Sequence, residues 1–219
     1  SMLTATTADG NTAVGYNTLT NLTSGYGNTA LGNGALNRVT TQSGNTAIGH
    51  TALFTNDSGG NNTAVGYDTL RFNVSGSSNV AVGREAGRNN TGSNNVFIGD
   101  NAGGGNDSGS GNVFIGYQAG YSQLGGNNKL YISNSQTNNL ITGDFSTGEL
   151  NLGQIQGTVS VLNALAVAGD LYLNGTNGSG NLYIGGIALT NDNGTLKWGG
   201  SAVGSGGGGI FDGGTVTNA

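Results

Sequence analysis

His50 is the single histidine of a chain with no cysteine, and that sets a low ceiling on its acid–base and metal chemistry. Zinc clusters and thiol catalysis need ligands and nucleophiles that these 219 residues lack. A Ser–His–acid triad would have to use His50, which stands where Tyr16 and Tyr67 stand in related segments and reads as a surface residue. The eleven carboxylates are scattered singly, so no convergent acid pair for glycan cleavage is visible. Asp107 follows Gly103-Gly104-Gly105-Asn106, a turn type that binds calcium only when neighbouring turns share ligands, and the pattern does not recur. Gly83-Arg84-Glu85-Ala86-Gly87 lacks the Lys and the helix start of a phosphate loop. The sequons Asn21-Leu22-Thr23 and Asn73-Val74-Ser75 are expected by chance in a chain with 32 Asn. The expectation is no enzyme, no cofactor and no metal.

What does recur is a pentapeptide. Asn11-Thr-Ala-Val-Gly15 returns from Asn28 to Gly32, Asn45 to Gly49 and Asn62 to Gly66. Changed copies run from Asn79 to Gly83, Asn95 to Gly99 and Asn112 to Gly116, and Asn128-Lys-Leu-Tyr-Ile132 reads as a degenerate eighth. Successive starts lie 17, 17, 17, 17, 16, 17 and 16 residues apart. So short a fixed period makes each copy one coil of a stack. At the ~4.8 Å spacing of paired strands, eight coils span roughly 35 Å.

Each pentapeptide reads as a short strand with alternating faces. Its fourth position is always aliphatic (Val14, Leu31, Ile48, Val65, Val82, Ile98, Ile115), which predicts that it faces the interior together with the second position. The third position, Ala in five copies and then Phe97 and Phe114, is then expected to point outward against a neighbour. The invariant Gly15, Gly32, Gly49, Gly66, Gly83, Gly99 and Gly116 predict positive φ or close backbone approach. Four residues on come Leu19, Leu36, Leu53 and Leu70, then Gly87, Gly103 and Gly120, expected in a return strand. Another Gly precedes the Asn by three residues (Gly25, Gly59, Gly76, Gly92, Gly109, Gly125, with Gln42 the exception) and marks the turn between coils. The repeated Asn is expected to form a hydrogen-bonded ladder rather than to bind a metal or sugar at every coil.

Composition agrees with an ordered fibre more than a globule. The chain has 45 Gly, no Pro and 8% charged residues, and its Leu, Ile, Val and Phe total 47, close to the lower limit for folding. A net charge of −5 with a strict register argues against disorder, and six Lys and Arg argue against nucleic acid or an anionic membrane as partner. No apolar run reaches the ~20 residues that span a bilayer. No secretory signal peptide opens the sequence, and Ser1-Met2 reads as a tag remnant before an internal fragment. One thin stack buries little area, so association of copies is the expected remedy.

The N-T-A-[VLI]-G and N-V-[AF]-[VI]-G copies resemble the head repeats of YadA-like trimeric autotransporter adhesins, and similar text occurs in bacteriophage tail fibres. The resemblance covers residues 11–133. It implies a left-handed parallel β-roll, a homotrimer and a role in attachment. The period is longer than that of the adhesin heads, which implies a larger loop in each coil. The absence of a heptad stalk or terminal membrane barrel favours the phage-fibre branch or a fragment.

The expected organisation is a leader and cap over 1–10, the roll over 11–133 and a transition over 134–149. A β-rich, prism-like shaft over 150–200 and a Gly-rich linker over 201–219 follow. Gly143-Asp144 and Thr147-Gly148 read as turns, as do Asn174-Gly175, Asn177-Gly178 and Asn193-Gly194. Period-two alternation at Leu150/Leu152, Val159/Val161, Leu171/Leu173 and Leu182/Ile184 marks strands. Trp198 reads as a plug between subunits rather than a sugar platform.

Function is expected to be attachment by a homotrimeric viral tail fibre on the virion, with a cell-surface glycan or protein as receptor. Loops 20–27, 37–44, 54–61, 71–78 and 104–111 are the places to look for contact. A bacterial surface adhesin and a purely structural shaft remain open. Ice binding through Thr12, Thr29, Thr46 and Thr63 is disfavoured, because the column changes to Val80 and is expected to face inward.

Overall fold

The computed structural model describes residues 7–137 and 139–152, and the strand segments 181–184, 187–192, 195–198, 201–202, 211–212 and 215–216. The chain divides into two units, Ser1–Val159 and Ser160–Ala219. Among the described residues there is no helix. The first unit is a parallel β-solenoid of about seven turns.

One three-residue strand per coil carries the stack: β1 Thr12–Val14, β2 Thr29–Leu31, β3 Thr46–Ile48, β4 Thr63–Val65, β5 Val80–Val82, β6 Val96–Ile98 and β7 Val113–Ile115. They pair parallel and in register, so Ala30 meets Ala47 and Phe97 meets Phe114. The eighth strand, β8 Lys129–Ser133, pairs Val113 with Leu130 and Phe114 with Tyr131. The degenerate copy therefore begins at Lys129, one residue later than Asn128, and the turn glycine of that coil is Gly126, whose carbonyl takes the Asn112 amide, rather than Gly125.

The rest of each coil is turn, and no return strand forms where one was expected. The reason lies in φ. Leu19, Leu36, Leu53 and Leu70 sit at φ 48 to 49°, and Gly87, Gly103 and Gly120 take over the same left-handed corner at 56 to 61°. A left-handed residue reverses the chain instead of extending it. Coils still bond to one another there, as in Leu53 N–H to the Thr69 carbonyl at 3.0 Å and Gly87 N–H to the Ala102 carbonyl at 2.8 Å. A second left-handed column precedes the strands (Gly27, Gly44, Asn61, Ser78, Asn94, Gly111, Asn128), and the Gly- and Asn-rich composition follows from these corners.

The strand faces are reversed from the sequence expectation. Ala30, Ala47, Ala64, Ala81, Phe97 and Phe114 are fully buried, whereas Val14, Leu31, Val82 and Ile98 are exposed. The interior is too narrow for large side chains from both walls. While Leu19, Leu36, Leu53 and Leu70 fill it from the corner, the strand supplies Ala. The corner becomes Gly at Gly87, whose own strand still supplies Ala81, and Phe97 of the next coil fills the space that Gly87 leaves, with Phe114 repeating the arrangement beside Gly103 and Gly120. The exchange roughly conserves volume, which is what a close-packed interior tolerates.

The last coil is closed by a hairpin. β8 pairs antiparallel with β9 Asn139–Asp144, and β9 with β10 Glu149–Leu152. Gly143-Asp144 therefore lies in a strand and not in a turn. The reversal runs through Phe145–Gly148, with Gly148 at φ 74° and its N–H on the Asp144 carbonyl at 2.9 Å.

In the second unit, β11 Asn181–Ile184, β12 Ile187–Asp192, β13 Thr195–Trp198 and β14 Ser201–Ala202 form an antiparallel sheet in sequence order. β15 Phe211–Asp212 pairs with β16 Thr215–Val216 inside the segment expected to be linker. The tag remnant, the alternation at Val159/Val161 and Leu171/Leu173, the three Asn-Gly turns and Gly206–Gly209 lie outside the described residues.

Candidate assembly and binding surface

The repeated Asn forms a buried column from Asn28 to Asn112. Each Oδ1 accepts the backbone N–H of the equivalent residue one coil on: Asn45 from Asn62 at 3.0 Å, Asn62 from Asn79 at 3.0 Å, Asn79 from Asn95 at 2.9 Å. The column runs from Asn11, which accepts from Asn28 at 2.8 Å, to Asn112, which accepts from Lys129 at 2.8 Å. Each Nδ2 donates to the turn carbonyl that follows, as in Asn62 to Gly76 at 2.8 Å and Asn95 to Gly109 at 2.8 Å. The amide side chain thus occupies both its acceptor and its donor in holding two coils together.

Sequence reasoning missed a second buried column: Asn56, Asn73, Asn90 and Asn106. Their amides bond the same glycine carbonyls from the other side, Asn73 to Gly76 at 2.7 Å and Asn90 to Gly92 at 2.9 Å. Both lone pairs of each turn carbonyl are therefore used. A serine column was also missed, with Ser77 N–H on Ser93 Oγ and Ser93 N–H on Ser110 Oγ, both at 3.0 Å. Recurrence of Asn eleven residues after the repeat Asn, and of Ser two residues before the next one, was the available signal.

Both glycine columns are enforced by contact. A Cβ on Gly66 would lie 2.4 Å from the Gly83 carbonyl oxygen, at φ 140°. One on Gly76 would lie 2.1 Å from the Gly92 oxygen, at an ordinary φ. The first column needs both positive φ and close approach; the second needs approach alone.

The outer sheet face carries no such constraint. It presents one column of Thr12, Thr29, Thr46, Thr63, Val80, Val96 and Val113 beside another of Val14, Leu31, Ile48, Val65, Val82, Ile98 and Ile115. Val14 is 54% exposed and Ile98 41%, so an aliphatic stripe follows the whole stack. The Thr ladder lies on this outer face and not inside.

Around the corner, the His50 ring stacks on Tyr67 with centroids 5.1 Å apart. Its Nδ1 lies 3.2 Å from the Thr51 hydroxyl, which bonds the buried Asp68 carboxylate. The hydroxyl sits between imidazole and acid, so the order a nucleophilic triad needs is absent here. Asp68 also pairs with Arg71 at 2.9 Å and lies 3.8 Å from Arg88, and both guanidiniums lie over Phe72. These contacts fasten coils three to five. At the closed end, Lys129 and Asp144 form a 2.5 Å ion pair. The Lys129 ammonium and the Ser146 hydroxyl and N–H hold the Asp144 carboxyl well below the usual range, and Asp144 in turn raises Lys129.

Asp107 is exposed, and among the described residues no group of three or more His, Cys, Asp or Glu is placed to hold a metal ion. Among the described residues, no helix is long and apolar enough to cross a membrane. No family model, curated protein or solved structure matches this chain.

Proposed function

We propose that this chain is a homotrimeric fibrous attachment protein, part of a viral tail fibre, in which the solenoid is a non-catalytic rod that presents its inter-coil loops to a host-cell surface. The carrying observation is the aliphatic stripe on the outer sheet face. Seven strands at ~4.8 Å make it roughly 30 Å long, a contiguous apolar surface of the kind that marks association. Copies packed side by side about an axis parallel to the stack would cover it. Three-fold closure follows the resemblance to adhesin head repeats, and three sets of loops would give multivalent contact. The head of a bacterial adhesin, or a shaft with binding carried elsewhere, would use the same interface.

Solution mass with and without heating in detergent tests the assembly. A tripled mass that survives detergent supports it; one chain's mass at every concentration overturns it. Binding of the trimer to host cells then separates an attachment protein from a plain shaft.

A second reading is favoured by one observation, the outward Thr12, Thr29, Thr46 and Thr63 column at regular strand spacing. It would suit ordered water on ice. Thermal hysteresis measures it, and a monomer with hysteresis would replace the trimer reading.

A further inference from the structure

In a solenoid the recurring residues answer to the stack, so residues that break the pattern are free to serve a ligand. One open groove centres on two such positions, Arg38 and Asp57. It is lined by Asn21, Arg38, Thr40 and Asp57, with a volume of about 410 Å³, across the first three coils. Arg38 occupies a column that holds Asn21, Thr55 and Phe72 in neighbouring coils, and Asp57 one that holds Thr23, Thr40 and Val74. The stack therefore does not require this pair.

We infer that the groove is a binding site for a neutral, hydroxyl-rich ligand, namely a hexopyranose unit of a cell-surface glycan. Four observations carry it. The volume lies within the roughly 300–1,000 Å³ of small-ligand sites, and all four lining side chains carry a polar group, where such sites are mostly lined by apolar residues. The Arg38 guanidinium meets Asp57 through Nε and Nη2, each at 3.4 Å, and this balances the charge so that neither an anion nor a cation is favoured. Both side chains keep about half their surface in solvent, 53% and 41%, and so retain donor and acceptor capacity toward the groove. The frame is fixed: Arg38 N–H bonds the Phe54 carbonyl at 3.1 Å, Asp57 N–H the Val74 carbonyl at 3.1 Å, and the Asn21 amide the Asn37 carbonyl at 2.7 Å. A carboxylate, a planar guanidinium, an amide and a hydroxyl in one groove match the alternating donors and acceptors of adjacent sugar hydroxyls. Affinity per groove would be weak, with three copies per fibre raising it.

This rests on the attachment reading and names its receptor chemistry. The test is saturation-transfer NMR on the full chain with a panel of methyl hexopyranosides at millimolar concentration. Arg38→Ala and Asp57→Asn are compared with Arg84→Ala, which removes another surface ion pair. Transfer to at least one glycoside, reduced about tenfold in both groove variants and unchanged in Arg84→Ala, is the expected result. No transfer from the wild-type chain, or transfer that persists in both groove variants, overturns the proposal. Host-cell binding by the same samples keeps the two readings apart. If Arg38→Ala still binds cells, the groove fails as receptor site while the attachment reading stands; if the wild type binds no cells, attachment itself fails.

Discussion

Phe97 occupies the space that a side chain on Gly103 would need: a Cβ there would lie 2.4 Å from both Cδ1 and Cε1 of the ring. On the coil before, a Cβ on Gly87 would meet Cδ2 of the same ring at 2.5 Å. The ring is thus held between two glycines at left-handed corners, where earlier coils hold a leucine corner against an alanine strand.

Phe97→Ala should cost about 3–5 kcal/mol, the range for emptying a buried aromatic site. Adding Gly103→Leu to that variant should recover part of the loss, because Leu already occupies this left-handed corner in four earlier coils. Gly103→Leu alone should destabilise through the clash. A double-mutant cycle in denaturant measures the coupling, and additive effects would contradict the exchange of volumes.

Asn62→Asp tests the amide ladder. The Asn62 Nδ2 donates to the Gly76 carbonyl at 2.8 Å and to Asn45 Oδ1 at 3.2 Å, and a carboxylate would turn an acceptor toward both. Burial and those partners should raise the folded-state pKa of the new Asp above the ~3.9 of the unfolded chain. Stability relative to the wild type should then be nearly preserved at pH 3 and fall as pH rises, by about 3 kcal/mol or more at neutral pH. Melting curves across that window check it, and a pH-independent difference would count against the ladder.

The Lys129–Asp144 pair should make the closed end sensitive to acid. The folded Asp144 pKa is depressed, so its contribution is fully present above the ordinary carboxylate range and is lost as pH falls through the folded value. Lys129 is raised, so its share is present below its ordinary range and is lost at still higher pH. Asp144→Asn should lower the melting temperature at neutral pH and make little difference in strong acid. Hydrogen exchange of the β8–β9 amides locates the effect.

Val82→Asp on the outer stripe should abolish the proposed trimer without unfolding the coil, because Val82 is 39% exposed on the single chain. Each assembly would otherwise bury three carboxylates beside one another. Mass in solution reads the assembly and circular dichroism the fold. A trimer unaffected by the change would move the interface elsewhere.

Much of this architecture was legible in the sequence because it repeats. Seven copies with an invariant Gly and Asn declare a stack, and positions that admit only Gly declare close backbone approach, as Gly66 against the Gly83 oxygen shows. The second Asn column was hidden because its first members are Leu22 and Val39, so no constant letter marked it. The groove at Arg38 and Asp57 was hidden because both stand in columns whose residue changes from coil to coil, so no periodic letter marked them.

The text determined period, strand positions and the two glycine columns, because a coil-on-coil contact acts on the same position in every copy. Which face of the strand is inside was decided only in three dimensions. A three-residue strand offers two alternating faces, and aliphatic character alone assigned the interior to Val14 and its equivalents. The left-handed leucine corners fill a narrow interior and leave room only for Ala on the opposite wall, so the larger aliphatics are displaced to the surface.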